Sequence, residues 1–331
     1  MAPTLIPGDT DDAGMSDTLR DVADDNDIKI GAAAAADPIR GDFQYRDALR
    51  EFNAVTAENA MKMGPLRPDE HTYDFTDGDL IAEFAREHDM YFRGHVLVWH
   101  NQLPEWLLPF QYTDRELRRL LEDHVRTVAA RYAGDVDTWD VVNEAVADDG
   151  GLRETPWLRA FGEEYLDKAF EWAHQSAPDA DLFYNDYGAD GINDKSDEIY
   201  EMVSGMLDRG VPIDGVGLQL HALHDPVDPD SVAENIERFK DLGLAVEITE
   251  MDVAYTAEDP PEDHQEVQAD YYREVVEKAM AAGCDTFVIW GVADHHSWIP
   301  HFDDTLTDDP LLLDDGYDRK PAYDAIVDLL S

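Results

Sequence analysis

The chain has 331 residues, 44% of them hydrophobic, and a formal net charge of −50 from 75 Asp and Glu against 25 Lys and Arg. The acids are spread along the whole length, which excludes a nucleic-acid binder, because such a coat repels a phosphate backbone. No run reaches the roughly 18 apolar residues that a spanning helix needs, and the single cysteine, Cys284, forms no intrachain disulfide and reads as a buried structural thiol.

At low ionic strength a coat of this charge repels itself, whereas molar salt shortens the Debye length to roughly 3 Å and removes most of the repulsion. The composition therefore fits a protein from a very salty cytoplasm or brine. Residues 1–27 show neither a basic start nor an apolar h-region. As the sequence stands the protein is expected in the cytoplasm, or outside the cell if a leader has been removed.

Residues 1–27 are expected to be a lead, loose over the Pro-, Gly- and Asp-rich residues 1–15 and a short helix over Met15–Asn26. From Ile28 onward, short apolar runs alternate with longer segments of helical period. The strands are predicted near Ile28–Ala34, Ala54–Glu58, Phe92–Trp99, Asp137–Asn143, Leu182–Asn185, Gly215–Leu220, Ala245–Thr249 and Thr286–Trp290. The helices are predicted over Asp42–Phe52, Asp79–His88, Thr113–Tyr132, Gly162–Ser176, Asp194–Arg209, Asp230–Leu242 and His264–Ala282, with a last one after Pro321. Such alternation predicts parallel βαβ units with right-handed crossovers, and eight of them close into an α/β fold, a single (β/α)8 TIM barrel over residues 28–331.

Polar residues gather where these strands end. Glu58, Asn59 and Lys62 follow the second, His95, Trp99 and His100 the third, and Asn143 and Glu144 the fourth. Asn185, Asp186 and Tyr187 end the fifth, Gln219 and His221 the sixth, Glu250 and Asp252 the seventh, and Trp290, Asp294 and Trp298 the eighth. In a parallel barrel all these ends face one mouth. Two of them, Trp139–Glu144 and Ala245–Asp252, are apolar runs that deliver a carboxylate at a buried tip. Glycoside hydrolysis needs such a pair of carboxyl groups flanking the scissile bond.

The motifs Thr56-Ala57-Glu58-Asn59-Ala60-Met61-Lys62, Gly94-His95-Val96-Leu97-Val98-Trp99-His100, Trp139–Ala145, Asn185-Asp186-Tyr187, Gln219-Leu220-His221, Ile248-Thr249-Glu250-Met251-Asp252 and Lys320-Pro321-Ala322-Tyr323 resemble glycoside hydrolase family 10. The resemblance runs from Ile28 to the end in the same order. The family consists mainly of retaining endo-β-1,4-xylanases, so the resemblance implies Glu144 as acid/base and Glu250 as nucleophile. In a retaining pair the carboxyls stand about 5–5.5 Å apart, and an anionic Glu250 would keep Glu144 protonated until the sugar is attached.

The resemblance further implies that His221, backed by Asp252, holds Glu250 ionised, and that Asn143 contacts the sugar 2-hydroxyl. Glu58, Asn59 and Lys62 would bind the glycone, His95, Trp99 and Gln219 would surround the reacting sugar, and Tyr187 would lie toward the leaving group. Trp290 and Trp298 would stack on sugar faces, with Gln102 and Trp298 crowding the place of a hexose hydroxymethyl group and so favouring xylose.

Three positions depart from the family pattern: Met63 where tryptophan is common, Gly188 where asparagine is common, and Met251 in place of leucine. None removes a catalytic group. No cofactor is expected, and His295, His296 and His301 lack the spacing of a metal site. The expected partner is xylan or xylo-oligosaccharides. A β-glucanase on the same barrel is the nearest alternative, since pocket shape chooses the sugar, and a carbohydrate-binding protein without catalysis is a more distant one.

Overall fold

The computed structural model describes residues 17–331. Expectations for residues 1–16 lie outside the described residues. Strands β1 (Lys29–Ala34), β2 (Ala54–Ala57), β3 (Tyr91–Val98), β4 (Thr138–Asn143), β5 (Asp181–Asp186) and β6 (Gly215–Leu218) come first along the chain. They are followed by β7 (His221–Leu223), β8 (Ala245–Ala254) and β9 (Thr286–Ile289). Parallel pairing runs β6-β5-β4-β3-β2-β1-β9-β8, and a further β6–β8 pairing closes the ring. The short β7 continues beyond β6 and pairs with the end of β8. The barrel thus has eight staves, as the alternation predicts.

The sequence reading ends the seventh strand at Thr249, whereas β8 runs on to Ala254. The extension exists because β7 supplies a partner ladder, His221 opposite Asp252 and Ala222 opposite Val253. Glu250 and Asp252 therefore sit on regular strand rather than on a loop. Four short helices, Ala36–Gly41, Met63–Leu66, Pro156–Phe161 and Ile299–Phe302, lie in the loops after strands; at four to six residues they are too short for a helical period to register.

The long helices follow the predicted positions with local reasons. Thr113 and Glu116 form a reciprocal capping box at the start of Asp114–Arg131, and Leu117, Leu121, Val125 and Val128 recur on its buried face. Leu19–Asp25 is likewise capped by Thr18 and Asp21. It bridges to the last helix, Pro321–Leu330, with Leu19 N–H donating to Tyr323 Oη at 2.9 Å and Asn26 Nδ2 to the Leu330 carbonyl at 2.8 Å.

Alternation along the strands points every second residue into the barrel. Arg93 is 1% exposed there, bonded to Asp140 through two nitrogens and to Glu247 through another, with Phe183 4.9 Å away. Burial raises the Asp140 carboxyl, but Arg93 and His95 outweigh it and the net shift is downward. For Glu247 burial wins and the carboxyl moves up. On the outer face, Gly94 makes room for Trp139, whose ring would meet a Cβ there at 2.5 Å. Cys284 is buried, as expected, and its thiol is pushed up to about 12 by that burial. Among the described residues no helix is long and apolar enough to cross a membrane.

Candidate active site

β4 ends at Asn143, and the next residue turns sharply: Glu144 adopts φ 57°, a left-handed conformation uncommon outside glycine. Its surroundings hold it there. Glu144 N–H donates to the Asn185 carbonyl at 2.9 Å, Arg153 Nε donates to the Glu144 carbonyl at 3.1 Å, and Tyr184 Oη accepts from the amides of Ala145 and Val146 at 3.0 and 3.3 Å. The side chain is thereby aimed at a small set of donors. Oε1 accepts from Asn143 Nδ2 at 2.9 Å and from Gln219 Nε2 at 3.2 Å, while Oε2 accepts from Trp99 Nε1 at 2.8 Å. Oε2, with the fewer donors, has room for a proton or a substrate oxygen.

Glu250 sits in a different setting. Oε1 accepts from Asn185 Nδ2 at 2.8 Å, and Oε2 lies 3.3 Å from His221 Nε2. The other ring nitrogen, Nδ1, is 3.0 Å from Asp252 Oδ1, and Asp252 Oδ2 accepts from Trp298 Nε1 at 2.8 Å. Burial would depress the imidazole, but two carboxylates outweigh it and His221 is raised well above its ordinary range. Burial likewise pushes Glu250 up, yet the His221 bond and the charges of His95 and His221 bring it below the usual value. The arrangement is that of a carboxylate held ionised.

The two carboxyls are tied together through amides. Asn143 Oδ1 accepts from Asn185 Nδ2 at 2.9 Å, and Asn185 also serves Glu250. Thr249 Oγ1 fixes the Asn185 amide by donating to its Oδ1 at 2.6 Å. Gly217 leaves the space for this, since a Cβ there would lie 2.3 Å from Asn185 Oδ1. In the sequence Asn185 belongs to the strand-end pattern without an implied role. Its hydrogen bonds make it the link between the two acids.

The remaining predicted residues surround this pair. Asn59 Nδ2 donates to Glu58 Oε1 at 2.8 Å, while Asn59 Oδ1 accepts from Lys62 Nζ at 2.9 Å and Gln102 Nε2 at 3.3 Å. Burial pushes the Glu58 carboxyl up and the Lys62 ammonium down. Lys62 lies 4.8 Å from the Trp99 ring, joining this cluster to Glu144. His95 donates from Nδ1 to Asp140 at 2.9 Å and lies 4.0 Å from Glu250 Oε1. Trp290 packs edge-on to His95 and His221, and Trp298 packs against His221. The Tyr187 hydroxyl donates to Asp148 at 2.7 Å and accepts from Arg153 Nη2 at 3.0 Å.

Sequence reasoning missed the layer beneath. Asp140 anchors His95, and Arg93 with Glu247 anchors Asp140; the available signal was charged residues at inward, period-two positions two residues from His95 and Thr249. His100, which in the sequence stands only as part of a motif, places Nδ1 3.9 Å from Glu144 Oε2. Among the described residues no group of three or more His, Cys, Asp or Glu is arranged to hold a metal ion.

The Glycosyl hydrolase family 10 model matches residues 18–329. Endo-1,4-beta-xylanase B of Thermotoga neapolitana is 40% identical, with 98% of this chain and 95% of that protein aligned. The endo-1,4-beta-xylanase of Geobacillus stearothermophilus is 36% identical over 92% of this chain and 96% of its own length. Among solved structures, xylanase 10B from Thermotoga petrophila in complex with xylobiose superposes with a TM-score of 0.91 at 40% identity, covering 95% of this chain and 97% of that one. The TsXylA xylanase of Thermoanaerobacterium saccharolyticum superposes with a TM-score of 0.86 at 32% identity, covering 95% and 99%. With the family match spanning almost the whole described chain and its relatives aligned nearly end to end, the protein belongs to glycoside hydrolase family 10.

Proposed function

We propose that this protein is a retaining endo-1,4-β-xylanase in which Glu250 is the nucleophile and Glu144 the acid/base. The observation that carries the assignment is the contrast between the two carboxyls: Glu250 is held below its ordinary range by His221, while Glu144 keeps Oε2 with a single donor. In the first step Glu250 attacks the anomeric carbon as the bond to the departing oxygen breaks, and the Glu144 proton goes to that oxygen. In the second step Glu144 takes a proton from water, the water oxygen bonds to the anomeric carbon, and Glu250 leaves as carboxylate. Two displacements restore the β configuration. The His221–Asp252 pair keeps Glu250 charged and oriented.

Asn143 uses one Nδ2 hydrogen on Glu144, which leaves the other for the sugar 2-hydroxyl. Glu58, Asn59 and Lys62 serve the glycone, with His95, Trp99 and Gln219 around the reacting sugar. Tyr187 serves the leaving-group sugar, and Trp290 and Trp298 supply stacking faces. Gln102 and Trp298 exclude a hydroxymethyl group, which selects xylan and xylo-oligosaccharides. The charge of −50 supports the further reading of a halophilic form, folded best where salt screens its coat.

The test is hydrolysis of xylan, carboxymethylcellulose and barley glucan in high salt, with products separated. Rapid conversion of xylan to short oligosaccharides, with little from the glucans, is expected. Faster turnover of a glucan would favour the glucanase alternative, and binding without any turnover would end the enzymatic reading.

A further inference from the structure

The platform proposed for the leaving-group sugar and the turn that carries Glu144 are joined by one continuous set of contacts. Lys195, at the start of the helix Asp194–Asp208, is 11% exposed, and its Nζ lies 3.6 Å from the centre of the Tyr187 ring. The same ammonium bonds Asp186 at 3.0 Å and Asp148 at 3.2 Å. Asp148 accepts the Tyr187 hydroxyl at 2.7 Å. Asp186, buried at the end of β5, accepts the Tyr187 amide at 2.9 Å and also the Tyr184 hydroxyl. That hydroxyl oxygen holds the amides of Ala145 and Val146. Arg153 spans the same gap directly, from the Glu144 carbonyl by Nε to the Tyr187 hydroxyl by Nη2.

Two physical consequences follow. A cation seated against one face of an aromatic ring is attracted by the ring quadrupole and leaves a stacking sugar only the opposite face. And because Arg153 touches both Tyr187 and the turn after β4, while Asp186 reaches that turn through Tyr184, Tyr187 cannot tilt without pulling on the turn. Proton transfer to a departing oxygen demands heavy atoms within hydrogen-bond reach, and small misplacements cost rate steeply.

We propose that Lys195, acting with Asp148 and Arg153, is a positioning residue for glycosylation: it fixes the Tyr187 platform relative to Glu144, so that a xylose stacked on Tyr187 presents its departing oxygen to the acid. The inference rests on the retaining assignment of Glu144 and on Tyr187 facing the leaving group. It identifies the recognised element as an uncharged pyranose ring, held by stacking, on the leaving-group side of the scissile bond.

The experiment compares xylotetraose with β-xylobiosyl fluoride, whose leaving group is too small to reach Tyr187 and needs no proton from an acid. For Lys195→Met, kcat/KM on xylotetraose is expected to fall about ten-fold, while the fluoride reacts within about two-fold of wild type. Lys195→Arg, which keeps a cation for the ring, should recover much of the loss. Asp148→Ala removes an exposed partner of the same brace and should reproduce the selective loss if Lys195→Met fails to fold. Equal loss on both substrates would reduce Lys195 to a fold-supporting role and overturn the proposal, as would an unchanged rate on xylotetraose. A wild-type protein inert toward both would instead refute the retaining reading on which the proposal stands.

Discussion

Arg93→Met removes the guanidinium that bonds both Asp140 and Glu247 inside the barrel and leaves the two carboxyls out of water, Asp140 with His95 and Glu247 with the Tyr91 hydroxyl. Breaking a buried ion network from one side costs about 3–5 kcal/mol, because the stranded charges have lost their compensation. An unfolding entropy of about 2.1 cal/mol/K per residue over 331 residues gives about 0.7 kcal/mol/K. The expected fall in Tm is therefore about 4–7 °C.

The pH dependence has a definite sign. Without Arg93 both carboxyls rise relative to wild type, Glu247 further above its unfolded value of about 4.3 and Asp140 restrained by His95, so the folded variant binds more protons than folded wild type does. A raised folded value means stability present at low pH and lost as pH rises through it. The deficit against wild type should thus be smaller at pH 5 than at pH 8. Circular dichroism melts of both proteins at those two pH values, at one fixed high NaCl concentration, measure it. A deficit below about 1 °C, or one that grows toward acid pH, would refute the reasoning.

Three further outcomes are expected. His221→Asn should melt close to wild type but lose about 100-fold in kcat/KM, and the acid limb of its pH profile should move upward, because Glu250 no longer has the imidazole that lowers it. Trp298→Ala should lose absolute activity through its bond to Asp252, while the ratio of aryl cellobioside to aryl xylobioside turnover rises about ten-fold. Tm and xylan hydrolysis should climb together from about 0.1 to 2 M NaCl, because the Debye length shrinks from about 10 Å to a few ångströms over a surface of net charge −50; a flat or falling Tm would remove the halophile reading alone.

The barrel was legible because each strand–helix unit carries its own periodic signal, and the mouth was legible because polar residues at apolar strand tips have few explanations. Glu144 and Glu250 are identifiable on that ground alone, without the family resemblance. What escaped was whatever depends on a partner distant in sequence. The extension of β8 to Ala254 needs β7, and β7 is only three residues long. The Arg93–Asp140–Glu247 layer unites residues on three strands. In the sequence Lys195 is one charge among many at a helix start, and only the folded loops bring it onto Tyr187.

The central claim is that Glu250 becomes covalently attached to the sugar. An aryl 2-deoxy-2-fluoro-β-xylobioside slows both displacements, but its good leaving group lets the first outrun the second, so the intermediate accumulates. Mass spectrometry of the inactivated protein and of its peptides reads the outcome. The account predicts one fluoroxylobiosyl unit per chain, on the peptide containing Glu250. A label on Glu144, or turnover with no adduct and an inverted product, would contradict it.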